Sequence, residues 1–193
     1  MVQSVSAPRS PMTAALGTIG IMGGVVLLAA FAVDIPPSVN TYRLLLFNAG
    51  AIAVVIGVHR RQAAAAPGPD LIGTVPAIVA NAWYFGMTIL GTGRPEPFAG
   101  DFGFVYFLTA MAMWSTDALF GLVTLRLGAV PRGGALALAV GSVFAVSGID
   151  RLGLTSMASP TLFGPLALTG VALNGVGWIV LGLDLVMRSR RSR

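Results

Sequence analysis

Asp117 is the side chain best placed to do chemistry in this sequence. It stands in the run Met113-Trp114-Ser115-Thr116-Asp117, well inside a long apolar segment. A carboxylate at that depth in a bilayer costs on the order of 3 kcal/mol, so it must face other protein or water. Three, four and seven positions away lie Ala110, Trp114, Gly121 and Thr124, a small, polar and aromatic face suited to helix packing. Two other apolar segments carry similar stripes. Thr74, Ala77, Asn81, Tyr84 and Thr88 recur at helical spacing, as do Gly170, Asn174, Gly177 and Asp184, with Trp178 one turn from Asn174. Counted from the segment ends, Asn81 and Asp117 fall at nearly the same depth, with Asn174 slightly farther outward. The candidate site is therefore an intramembrane polar cluster of Asp117, Asn81, Asn174, Tyr84 and Trp114. Such a cluster suits a proton, an ion or a small solute. The simpler expectation is that these groups hydrogen-bond neighbouring helices to one another.

The residues that are missing narrow the chemistry. The chain has no Cys, which removes thiolate nucleophiles, disulfides, iron–sulfur clusters and cysteine-based metal sites. All twelve basic residues are Arg, so no Schiff-base or Walker-type lysine exists. The single histidine, His59, precedes Arg60-Arg61 and reads as an interfacial residue at a helix end. Ser115, Ser142 and Ser147 have no intramembrane base to activate them. A metal held by Asp117 and asparagines would suit neither zinc nor magnesium well, and no metal site is expected. Enzyme activity finds no support in these residues, and no cofactor can be named.

The elements that position the cluster follow from composition. Of 193 residues 55% are hydrophobic and only 10% charged, with mean hydropathy +0.84, whereas soluble domains carry about 25% charged residues. A chain this short cannot bury so much apolar surface in one aqueous core, so lipid must solvate much of it. Apolar segments fall at about Thr13–Val33, Thr41–Val58, Leu71–Leu90, Phe102–Leu125, Gly133–Ile149 and Leu162–Met187. The expected fold is all-α: a polytopic transmembrane helical bundle of six spans, with the second and fifth near the lower length limit. It is flanked by a disordered tail over residues 1–12 and a basic tail over 188–193. Breaks are expected at Pro36-Pro37, Gly68-Pro69, Gly93-Arg94-Pro95, Pro131-Arg132-Gly133 and Ser159-Pro160, with the longest connection around Ala63–Asp70. The rhythm of acidic and arginine-rich ends fits either three helical hairpins or a 3+3 repeat with inverted halves.

Net charge is +5, but the arginines sit at the ends of apolar segments, where they meet phospholipid headgroups and form no nucleic-acid groove. With six spans and cytoplasmic termini, nine arginines fall inside and three (Arg43, Arg94, Arg151) outside, as the positive-inside rule demands. The lack of Lys beside abundant Ala, Gly and Arg points to a GC-rich bacterial genome and hence to the bacterial plasma membrane. Arg9 and the small residues Ala29-Ala30-Phe31-Ala32 offer a competing signal-peptide reading of the first span. Gly20-xxx-Gly24 is read as close packing within the bundle, and Phe98, Phe102, Phe104, Tyr106 and Phe107 as an aromatic belt at the outer surface. Partners are the lipid bilayer, other membrane proteins or further copies of the chain. The leading functional expectation is a non-catalytic accessory or scaffolding subunit. The alternative is a small-solute or proton-linked transporter built around Asp117.

Overall fold

The computed structural model describes residues 11–29, 37–64, 66–92, 94, 100–150 and 165–191. These form six helices and no strand: α1 Pro11–Ala29, α2 Pro37–Gln62, α3 Pro67–Gly91, α4 Gly100–Leu127, α5 Arg132–Asp150 and α6 Pro165–Arg191. Four of the six open on a proline, whose missing N–H goes unneeded in the first turn. Gly68-Pro69, expected as a break, lies inside that first turn of α3; the chain turns at 63–64 instead. After α4, Gly128 takes φ +66° and its N–H bonds to the Thr124 carbonyl at 3.1 Å, a left-handed stop open to glycine. The breaks expected near Pro36 and at Ser159-Pro160 lie outside the described residues.

Five helices are long and apolar enough to cross a membrane. The second segment is not short: α2 runs through His59-Arg60-Arg61 to Gln62, 26 residues in all. The fifth, α5, has 19 described residues, as α1 does, a rise of about 28 Å against the ~30 Å of hydrocarbon. α6 continues as helix through Arg188 and Arg190 to Arg191.

Each helix packs on the next, α6 returns to α1, and α2 also meets α6. Helices α2 to α6 thus form a closed ring, and α1 lies in the groove between α2 and α6. The α2–α6 contact has no counterpart of similar extent between α3 and α5 among the described residues.

Glycines set how closely the helices approach. A Cβ on Gly23 would stand 2.9 Å from the Gly50 Cα on α2, and one on Gly17 would stand 2.6 Å from the Gly182 carbonyl on α6. Gly20 and Gly24, four residues apart, face α2 and α6 respectively, so the pair packs within the bundle. Between α5 and α6, a Cβ on Gly141 would lie 2.5 Å from the Asn174 backbone nitrogen. In lipid, where no hydrophobic effect drives helices together, such backbone contact supplies much of the association.

The polarity of the bundle is inverted relative to a soluble domain. On α3, Asp70, Thr74, Asn81, Tyr84 and Thr88 are buried, while Leu71, Ile72, Val75, Val79, Trp83 and Leu90 are exposed. Outward apolar and inward polar faces are what a membrane-spanning bundle requires.

Candidate functional site

The middle of the ring holds an amide–carboxyl cluster drawn from four helices. At 1.5 Å per residue, Asn81 lies about 21 Å along α3 from Pro67, and Asp117 about 15 Å along α4 from Leu127. The Nδ2 of Asn81 donates to Asp117 Oδ1 at 2.8 Å and to the Ala77 carbonyl at 2.9 Å. Two acceptors at one nitrogen fix the orientation of this amide. Across the ring, Asn174 Nδ2 donates to Ser142 Oγ at 2.8 Å, joining α6 to α5, and the Asn174 amide lies within electrostatic reach of Asp117.

All four side chains are fully buried, with 0% exposure at each. Yet Asp117 Oδ2, Asn81 Oδ1 and Asn174 Oδ1 accept no hydrogen bond from any described residue. Buried polar atoms are overwhelmingly paired in folded proteins, so three orphaned acceptors mark a place where something must donate to them or be coordinated by them. A donor is orphaned as well. Trp178 Nε1, one turn from Asn174, has no acceptor, while its ring stacks on Phe120 at 6.1 Å between centroids.

Of the five residues singled out in the sequence, Asp117 and Asn81 touch, and Asn174 shares their layer. Tyr84 and Trp114 do not join it. Trp114 stacks on Phe47 of α2, 6.0 Å between centroids, and fills the ring. Tyr84 stands one turn beyond Asn81 and belongs to a hydroxyl cluster. Tyr106 donates to the Tyr84 hydroxyl at 2.8 Å, and Thr88 lies 3.2 Å from the Tyr106 hydroxyl. Tyr106 is therefore not a belt residue; it points into the bundle, with its ring 5.0 Å from that of Tyr84. Arg43 of α2 faces both tyrosines, and its Nε is buried without an acceptor.

The arginine-rich end is closed by ion pairs. Arg61 at the end of α2 bonds to Asp184 of α6, and its Nη2 donates to the Ala129 carbonyl between α4 and α5 at 2.6 Å. Arg188 donates to the other Asp184 oxygen at 2.8 Å. Beside them His59 pairs with Asp70, whose other oxygen accepts from Thr74 at 3.2 Å. His59 is thus a crosslink between α2 and α3. Asp70 sits in the first turn of α3, where the helix dipole favours a carboxylate. Asn48 bonds back to Leu44 of its own helix at 2.7 Å and does not bridge to a neighbour.

Ser142, Tyr106, Arg43 and Trp178 are the participants that sequence reasoning did not place in the site. Ser142 had a signal. It falls on the helical face of Ala135, Leu138, Ala139 and Ala145, all buried small or apolar residues. Arg43, by contrast, counts in the sequence only as one charge among twelve. Among the described residues no group of three or more His, Cys, Asp or Glu could hold a metal ion. No protein-family model, curated protein or solved structure matches this chain.

Proposed function

We propose that this chain is a small carrier of a bacterial plasma membrane in which Asp117 takes up and releases a proton or small cation while a solute crosses. The observation that supports it is the unpaired Asp117 Oδ2 beside two unpaired amide oxygens, all at mid-bundle depth. A merely structural carboxyl would be expected to satisfy both of its oxygens. A neutral carboxyl could donate to one of the amide oxygens, and a small cation could be shared among all three. Both ends of the ring are blocked, by Arg61, Asp184 and Arg188 on one side and by Tyr84 and Tyr106 on the other. That is the form of a site closed to both faces. In this reading the arginine-rich end faces the cytoplasm, following the arginine asymmetry of the sequence.

The test is flux in liposomes carrying the purified chain and an internal pH-sensitive dye, challenged with proton or sodium gradients and a panel of small solutes. Solute-dependent acidification or sodium uptake is expected, and Asp117→Asn should abolish it. Inert protein that migrates with larger membrane partners on native gels would favour the accessory-subunit reading instead. One observation speaks for that second reading. A shallow apolar groove of about 350 Å³, lined by Leu16, Ile19, Ala53, Ile56 and Phe85 among others, offers a seat on the membrane-facing surface.

A further inference from the structure

We infer that Arg43, Tyr84 and Tyr106 form a binding site for a small monovalent carboxylate at the end of the bundle opposite the ion-paired arginines. The inference deepens the carrier reading by naming the class of solute, and it rests on that reading only for the step across the membrane.

The argument begins with an uncompensated charge. Guanidinium is protonated at any accessible pH. Arg43 is half-buried on α2, and its Nε lies out of reach of solvent and of any acceptor among the described residues. The other described arginine with a buried role, Arg61, meets a carboxylate and a carbonyl, whereas Arg43 meets neither; its electrostatic neighbours are the two tyrosines. A partly desolvated cation with an idle Nε–H calls for an anion.

The hydroxyl count leads to the same place. Tyr106 spends its proton on the Tyr84 oxygen, and Thr88 donates to the Tyr84 carbonyl at 2.8 Å. The Tyr84 hydroxyl meets that of Tyr106 and no other hydroxyl among the described residues. The Arg43 Nε–H lacks an acceptor among the described residues, and the Tyr84 phenol stands in the same cluster as a second hydrogen-bonding group. The Nε–H and Nη–H of an arginine form a planar fork that matches the two oxygens of a carboxylate. Aromatic rings stand close by, since Phe102 lies 6.4 Å from Tyr106 between ring centroids, with the Arg94 guanidinium 4.0 Å over the Phe102 ring. Such rings suit a short aliphatic tail better than a hydrated inorganic ion. One turn along α3, Asn81 leads to Asp117, so a carboxylate and a proton would bind in adjoining layers and offset one another's charge.

The site can be tested without transport. The full chain, in an uncharged detergent, is titrated with sodium propionate and, at equal ionic strength, sodium chloride, and thermal unfolding is followed. Propionate should raise Tm by several degrees and saturate, with chloride giving little. Arg43→Gln should erase the shift. Arg43→Lys, which keeps charge but loses the fork, should weaken binding about tenfold or more, and Tyr84→Phe should weaken it to a similar degree. If Arg43→Gln does not fold, the latter two carry the test. Three results would overturn the site: no difference between propionate and chloride, a shift unchanged in Arg43→Lys and Tyr84→Phe, or stabilisation through Arg43 by phosphatidylglycerol but not by propionate. The last would assign Arg43 to a lipid phosphate. Propionate binding that persists in Asp117→Asn, with no flux in liposomes of the unsubstituted chain, would keep the site and defeat the carrier.

Discussion

Replacing Asp117 by asparagine should leave the protein at least as stable as before. Asparagine keeps an oxygen for the Asn81 N–H that now reaches Oδ1 at 2.8 Å. It also places an NH2 group where Oδ2 has no donor, within the layer that holds the unpaired oxygens of Asn81 and Asn174. One new hydrogen bond contributes about 0.5–1.5 kcal/mol net. For a chain of this size, 1 kcal/mol moves Tm by about 2–4 °C, so the substitution should be neutral or raise Tm by up to about 5 °C. Asp117→Leu is the contrast. It leaves one Asn81 N–H without its acceptor, and a stranded buried donor costs about 1–3 kcal/mol. Tm should then fall by about 3–10 °C. Unfolding can be followed through tryptophan fluorescence, since Trp114 lies one turn from position 117 on α4. An asparagine variant less stable than the leucine variant would refute the hydrogen-bond accounting at this site.

Gly141→Ala should destabilise by about 1–3 kcal/mol, because the added methyl meets the backbone of Asn174 and Gly170, which no rotamer change can move; chemical denaturation checks this. Gly133→Ala, with open space at its Cβ position, is the neutral control. Asp184→Leu should cost more than Arg61→Leu, about 3 kcal/mol or above, since it strips the acceptor from two arginines, whereas Asp184 without Arg61 keeps Arg188; a thermal-unfolding comparison of the two variants decides it. Reporter fusions at the C-terminus and between α3 and α4 should give cytoplasmic and exterior signals respectively, and the reverse pattern would overturn the proposed orientation.

Helix number and the inward faces of α3, α4 and α6 were legible in the sequence because bilayer solvation leaves a coarse signature. Apolar length marks a span, and a polar residue inside a span must turn inward. That is why the stripe from Thr74 to Thr88 could be drawn before any coordinates, and why Asn81 and Asp117 could be matched in depth. What the sequence hid was mostly azimuthal. Trp114 and Asp117 are one turn apart, yet one meets Phe47 and the other Asn81. Which neighbour a side chain meets depends on the rotation of each helix in the ring, and depth alone does not carry that angle. Tyr106 was missed for a related reason. An aromatic residue near a helix end serves equally as an interfacial anchor or an internal donor, and only the presence of Tyr84 opposite decides between them. The second span looked short because arginines closed it, but an arginine that reaches back to a partner on another helix, as Arg61 does to Asp184, lets the helix continue beneath it.

The position of α1 bears on how the chain matures. Its buried residues are four glycines and Leu27, and the seat they need has one wall on α2 and the other on α6. The second wall belongs to α6, which leaves the ribosome after the other five helices. Until then the first helix is held on one flank only, and its other glycine edge faces lipid. Closing the seat joins α1 to α6 and so forms the contacts of greatest sequence separation among the described helices, which come late in folding. A polypeptide halted before α6 would therefore lose more than α6 itself. It would leave Asn174 out of the central layer and the first helix without its second wall, so synthesis and insertion of the sixth helix act as the step that commits the whole ring.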